Sequence, residues 1–272
     1  MTYVDILVSR IRQRLLEQNK NYLSIFLGET GAGKSYSALR LAELCDPNFS
    51  VERVVFTPED FLKAVKEAKR GDFIIFDEAG VGIPSREWYR LQNKLLGYVV
   101  QVFRHKNLGV LFTTPNINFI DKMVRSLFHA IIHVSGVNRE RNVTVCHYYH
   151  VKINPVLGSM KLELLTLYVN GSPVEVDPLY LSMPSKDLVK AYEGKKSEFV
   201  NQLYEDALNK AQQQQHGISH WDVKRYERLM EGVVKLCETE GVPTVARKMG
   251  IPERTLRRWY NDWRAETVSQ LV

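Results

Sequence analysis

Apolar residues fall along this chain in two rhythms. Short continuous runs occur at Leu23-Ser24-Ile25-Phe26-Leu27, Val54-Val55-Phe56, Phe73-Ile74-Ile75-Phe76, Gly109–Thr114 and Ala130–Ser135. Runs of this length, bounded by polar or turn residues, predict strands buried on both faces of a parallel sheet. Between them the spacing turns helical. Val4, Leu7, Val8, Ile11, Leu15 and Leu16 mark one side of Met1–Gln18. Ser35–Leu44 follows, then a helix from Pro58 with Phe61, Leu62, Val65 and Ala68 on its apolar side. Glu87–Lys106 and a segment around Phe119–Phe128 also read as helices. Strand and helix in alternation predict an α/β fold, a mainly parallel sheet with right-handed crossovers.

The pattern changes after Asn142. Val143, Val145, Tyr149, Val151 and Ile153 alternate, Lys161–Val169 is β-rich, and Asn170-Gly171 signals a turn. Antiparallel strands with one wet face are expected to extend the sheet. His147 and His150 there read as ordinary strand side chains, because no carboxylate or cysteine in the pattern completes a metal set.

Ser185–Gln215 reads as a charged helix with Leu188, Ala191, Phe199, Leu203 and Leu208 as spaced apolar positions, and His216–Ser219 as a linker. Beyond it, Val223–Leu236 has helical spacing, Gly241 stops it, and Glu253–Arg264 forms a further helix with Leu256, Trp259 and Trp263. Ala246, Gly250 and Ile251 stand at the close-packing, turn and burial positions of a helix-turn-helix. The expected domains are residues 1–184, a connector over 185–220, and a small all-α domain over 221–272.

The strand at Leu23–Leu27 ends in Gly28-Glu29-Thr30-Gly31-Ala32-Gly33-Lys34-Ser35, which fits G-x-x-x-x-G-K-[ST]. Glycines let such a loop turn its N–H groups around phosphate oxygens, and the following helix presents its positive end to the same anion. Residues 28–36, from Gly28 to Tyr36, are therefore the expected nucleotide cradle. Lys34 adds a charge at the β- and γ-phosphates, and the Ser35 hydroxyl is placed to hold Mg2+. The strand Phe73–Phe76 ends in Asp77-Glu78. Asp77 is the expected second Mg2+ ligand and Glu78 the candidate general base for water. Thr114 and Asn116, at the tip of the strand Gly109–Thr114, are candidates to sense the γ-phosphate or orient water, or else cap the strand end. The chain has no N-K-x-D guanine motif after the core, so ATP is the expected nucleotide.

Arg104 closes the helix Glu87–Lys106. It either complements the helix dipole or reaches a neighbouring subunit's γ-phosphate. Arg125 competes for that role. In the C-terminal module, Arg254, Thr255, Arg257 and Arg258 crowd the presumptive reading helix and would face bases or phosphates of DNA. A three-helix protein-docking module with a solvated basic face is the other reading.

Composition adds limits. The 272 residues suffice for one large domain and a small one. A net charge of +6 favours polyanionic partners. No apolar run reaches the roughly 18–20 residues of a membrane span. Arginines at 10, 12 and 14 interrupt any signal-peptide pattern. The three dispersed cysteines argue against a disulfide framework and suit a reducing, cytoplasmic setting.

The stretch from about Tyr22 to Val137 resembles P-loop ATPases with a catalytic glutamate beside the second-motif aspartate. GETGAGKS, FIIFDEAG and LFTTPN stand for the three core motifs. RHKNLGVLFTTPN is similar to the corresponding stretch of HerA/FtsK-like and zonula-occludens-toxin-like ATPases. In many members a glutamine follows the sensor threonine; here Pro115-Asn116 stand in its place. Trp221–Arg264 resembles the helix-turn-helix domains of resolvases and transposases. The resemblance implies homo-oligomers that use ATP and Mg2+ to move or load DNA. An ATP-switched DNA-binding regulator, partition factor or transposition helper with slow turnover is the alternative.

Overall fold

The computed structural model describes residues 2–77, 106–120, 125–154, 156–215 and 220–269. The chain divides into two compact units, Met1–Asn201 and Gln202–Val272.

In the first unit, α1 (Tyr3–Leu16) starts at a capping box in which Thr2 and Asp5 satisfy each other's backbone N–H, and it buries Leu7, Ile11 and Leu15. β1 (Tyr22–Leu27) feeds the glycine-rich loop and α2 (Lys34–Cys45). β2 (Val54–Val55) leads into α3 (Pro58–Glu67), where the Thr57 hydroxyl caps the Asp60 N–H and Pro58 occupies the first turn. β3 (Phe73–Phe76), β4 (Gly109–Thr114) and β5 (Ala130–Asn138) complete the parallel part. β6 (Val143–Ile153), β7 (Met160–Leu164) and β10 (Leu179–Ser182) add antiparallel strands, while β8 (Thr166–Val169) and β9 (Ser172–Glu175) pair as a separate hairpin. Asn170 and Gly171 turn that hairpin, both with positive φ.

The sheet order is β10-β6-β5-β1-β4-β3-β2, with β7 beside β6. β1 is central and pairs in parallel with β4 and β5. The continuous apolar runs divide by pleat between two cores. Phe26, Ile75, Leu111 and Ile132 meet α1 and α2 on one face. Ile25, Ile74, Phe76, Val110 and Phe112 meet Phe61 and Val65 of α3 on the other. Burial on both faces is why these strands carry no polar alternation. Leu16 and Leu62, expected on the apolar sides of α1 and α3, are instead exposed.

α4 (Lys186–Gln215) begins in this unit. Its Tyr192 is fully buried, Leu188 and Phe199 pack on the α1–α2 core, and Phe199 stacks on Phe56 at 4.8 Å. Ala191 and Leu208, read as apolar anchors, are exposed.

The second unit contains α5 (His220–Glu240), α6 (Val242–Met249) and α7 (Glu253–Ser269). Cys237, Val245, Ala246 and Leu256 form its core, with Ile251 packed against them. Gly250, at φ +67°, ends α6 in the left-handed conformation that glycine adopts without strain. Trp259, expected in the apolar set of α7, is partly exposed. Among the described residues no helix is long and apolar enough to cross a membrane.

Candidate functional site

The loop from Gly28 to Gly33 joins the end of β1 to the start of α2. Gly28 is obligatory here: a Cβ on it would stand 2.4 Å from the Val134 carbonyl oxygen of the neighbouring strand. Gly31 and Gly33 have φ of +82° and +96°. Gly33 is the N-cap of α2 and offers no side-chain cap, so the helix presents its first N–H groups to an anion. Lys34 is buried, 3% exposed, and donates from Nζ to the Glu29 carbonyl across the loop at 2.9 Å. This cradle fits a phosphate group.

Asp77 follows β3 and is fully buried. Its backbone N–H is tied to the Val55 carbonyl at 2.9 Å. Ser35 Oγ donates to its Oδ1 at 2.7 Å, and Thr113 Oγ1 donates to the same oxygen at 2.8 Å. The sheet register explains the second contact. Phe76 lies opposite Phe112, so the next residues in each strand direction are Asp77 and Thr113. A hydroxyl and a carboxylate held together at a phosphate cradle are hard oxygen donors, which suits Mg2+.

Two further groups reach Asp77 from α4. Tyr192 OH donates to Oδ2 at 2.6 Å, and Lys196 Nζ lies 3.4 Å from the same oxygen. Tyr36 OH donates to Glu193 Oε1 at 2.9 Å. A cleft of about 530 Å³ lies here, walled by Thr30, Gly31 and the start of α2, by Val137 and Arg139, and by Tyr192, Glu193 and Lys196.

The structure thus brings together Gly28–Tyr36, Asp77, Thr113, Tyr192 and Lys196. The last three were not expected from the sequence. Thr114 and Asn116 are engaged locally: Thr114 Oγ1 faces the Asn116 carbonyl at 3.5 Å, and Asn116 Oδ1 accepts from the Asn118 N–H at 2.9 Å. Arg125 donates to the Ile120 carbonyl at 2.9 Å and to Asn118 Oδ1 at 3.3 Å. Glu78, Arg104 and nearly all of the expected helix Glu87–Lys106 lie outside the described residues.

Away from the cleft, His129 Nδ1 accepts the Leu23 N–H at 3.0 Å. Burial, reinforced by the Arg14 guanidinium, lowers its pKa to about 4, so the ring is a neutral acceptor that holds the start of β1. His147 Nδ1 lies 2.6 Å from Asp177 Oδ1, so a carboxylate does approach it. No group of three or more metal-ligating side chains forms among the described residues.

In the second unit, Arg254, Arg257 and Arg258 are exposed on α7 and Thr255 is half-buried. Arg257 pairs with Glu253 at 2.6 Å, one helical turn back.

Comparison with known proteins gives two family matches. The model described as zonular occludens toxin (Zot) matches residues 42–185, beginning inside α2 just after the phosphate cradle. The homeodomain-like domain matches residues 222–272. An uncharacterized protein of Sulfolobus spindle-shape virus 1 is 25% identical over 147 residues, covering 49% of this chain. The chain spans 59% of that relative's length. Among solved structures, the N-terminal domain of zonular occludens toxin from Neisseria meningitidis is 15% identical with a TM-score of 0.32, covering 54% of this chain and 95% of that one. A KaiC-like protein from Pyrococcus horikoshii is 12% identical with a TM-score of 0.32, covering 58% and 90%. The genome packaging NTPase B204 of Sulfolobus turreted icosahedral virus 2, in complex with AMP, is 10% identical with a TM-score of 0.28, covering 53% and 97%.

Proposed function

This chain belongs to the zonular occludens toxin (Zot) family, and from that premise we propose that it is a Mg2+-dependent ATPase that binds DNA and works as an oligomeric DNA-handling motor or loader. The observation that carries the reading is the junction of Ser35 and Asp77, 2.7 Å apart, at the mouth of a glycine cradle that contains a buried lysine. Lys34 would hold the β- and γ-phosphates. Ser35 and Asp77 would hold Mg2+, with Thr113 fixing the carboxylate. Bound there, Mg2+ would offset the charge on the phosphate oxygens. Glu78, next in sequence to Asp77, is the proposed base that takes the proton of the attacking water. A base directly after the metal-binding aspartate would make this an additional-glutamate, HerA/FtsK-like ATPase.

Arg104 is proposed to act on a neighbouring subunit's nucleotide, where a guanidinium can raise turnover by roughly 10³–10⁵-fold. The homeodomain-like match over residues 222–272 supports DNA as the partner.

A second reading is a nucleotide-switched DNA binder with slow turnover. It is favoured by α4, which caps Asp77 with Tyr192 and Lys196 and leads by chain into the second unit. ATPase rate against DNA length, at fixed nucleotide, separates the two. A translocating motor responds to length, whereas a site-bound switch does not. Lys34→Ala and Glu78→Gln test the chemistry in the same assay: the first loses nucleotide binding, and the second binds without turnover. Wild-type turnover by Glu78→Gln would remove the base assignment.

A further inference from the structure

α4 brings a second lysine to the phosphate cradle. Lys196 Nζ lies 3.0 Å from Tyr192 OH and 3.4 Å from Asp77 Oδ2, and stands 5.5 Å over the Tyr192 ring. It lines the same cleft as Lys34 and Ser35. This placement is built, because the helix around it is anchored on several sides. Tyr192 is buried and bonded to Asp77, Glu193 receives the Tyr36 hydroxyl, and Phe199 stacks on Phe56. The adjacent Lys195 points elsewhere, donating to the Val51 and Glu52 carbonyls at 3.0 and 3.2 Å.

The charges give this lysine a role. Asp77 is a fully buried carboxylate, and the neutral hydroxyls of Ser35, Thr113 and Tyr192 do not cancel its charge. Lys196 supplies a positive charge 3.4 Å from Oδ2. A divalent cation on Asp77 would supply that charge instead, and the ammonium would then meet a like charge. Its long flexible stem lets it turn toward the anion in the cradle without moving the helix backbone. We infer that Lys196 is a second phosphate-binding lysine, exchanging Asp77 for a β- or γ-phosphate oxygen when the magnesium nucleotide binds. The inference rests on the ATP reading above. It also makes the helix that leads out of the first unit a direct ligand of the nucleotide.

The test is binding of a fluorescent ATP analogue to the full-length chain, with Mg2+ or with EDTA, for wild type, Lys196→Met and Lys196→Arg. Loss of one charged hydrogen bond predicts affinity weaker by about tenfold or more for Lys196→Met in Mg2+. With EDTA, Lys196 stays on Asp77 and the Met variant should match wild type. Lys196→Arg should keep most of the Mg2+-dependent affinity. Unchanged or tighter binding by Lys196→Met in Mg2+ overturns the inference and makes Lys196 only a competitor of the metal. Equal losses in both arms also overturn it, because a lysine that merely supports the fold acts without regard to the metal. If wild type binds no analogue under either condition, the ATP reading itself fails and this inference falls with it.

Discussion

Thr113 Oγ1 and Asp77 Oδ1 lie 2.8 Å apart, across the two adjacent parallel strands that end at the phosphate cradle. The contact gives a fully buried carboxylate a neutral donor that cannot leave for solvent. A hydrogen bond to a charged group contributes roughly 1.5–3 kcal/mol. Thr113→Val keeps the shape and removes the donor. It should lower stability to urea by about that amount and raise the Mg2+ concentration needed for nucleotide binding. Thr113→Ser should restore both. Thr114→Val, one residue on, leaves every hydrogen bond to Asp77 in place and should change the Mg2+ requirement little. Equal effects at the two positions would remove Thr113 from the site.

Gly28 makes a different prediction, because the conflict there is with backbone. Its Cβ would meet the Val134 carbonyl oxygen at 2.4 Å, on the strand paired with β1. Forcing extra atoms into packed structure costs typically about 1–3 kcal/mol. Gly28→Ala should therefore lose at least that in urea unfolding and also lose nucleotide binding. At Gly31 nothing lies within 4 Å of an added Cβ, and the strain is confined to a φ of +82°. Gly31→Ala should be the milder change, costing roughly the 1–2 kcal/mol of a left-handed residue and no backbone clash. The reverse order would mean that Val134 moves away freely.

Much of this site could be read from local sequence. The strand, glycine loop and helix are contiguous, and a four-residue apolar run marks Asp77 as a strand end. What could not be read depends on register or on distance along the chain. Thr113 and Thr114 are equivalent as letters; only the pairing of Phe76 with Phe112 brings Thr113 to Asp77. Tyr192 and Lys196 come from a helix whose pattern looks like a solvated connector. Tyr192 shares its side of the helix with Leu188 and Phe199, which pack on the same core, but charged residues break up that sparse stripe, and the apolar neighbour Ala191 faces solvent. Leu62 and Trp259 stand at apolar positions of their helical patterns and are nonetheless exposed. His147 shows the same limit, since Asp177 reaches it from a segment with no pattern linking the two.

His129 ties stability to pH. Its folded pKa of about 4 lies below the ordinary histidine value, so the unfolded chain binds the extra proton. This contribution is present above the unfolded pKa near 6.5. It is lost as pH falls toward 4. Over that window it amounts to roughly 3 kcal/mol. Unfolding measured between pH 7 and 4 should show stability falling with acid. His129→Gln, which removes the titration, should flatten the slope. Parallel pH profiles for the two chains would mean that His129 takes a proton in place.

Charge on the exposed side of α7 decides how this helix would meet DNA. Arg254 and Arg258 are exposed, while Arg257 is already paired with Glu253 at 2.6 Å. Binding to DNA through this helix would release counterions, with a salt slope of about 0.9 per phosphate contact. Arg254→Ala and Arg258→Ala should each weaken binding and flatten the dependence on log salt by about that increment if the side chain meets a phosphate. A base contact would instead cost about 1–3 kcal/mol, mainly on the preferred sequence. Arg257 must first give up Glu253, an exposed pair worth roughly 0.2–1 kcal/mol, so Arg257→Ala should cost less. Glu253→Gln makes the sharpest test. It removes an anion from the DNA-facing end of the helix and frees Arg257, and should tighten DNA binding. If the module docks a protein instead, none of these substitutions should change DNA affinity or its salt slope in the full-length chain. DNA held by the first unit alone would give the same result, and deletion of residues 216–272 would then leave binding intact.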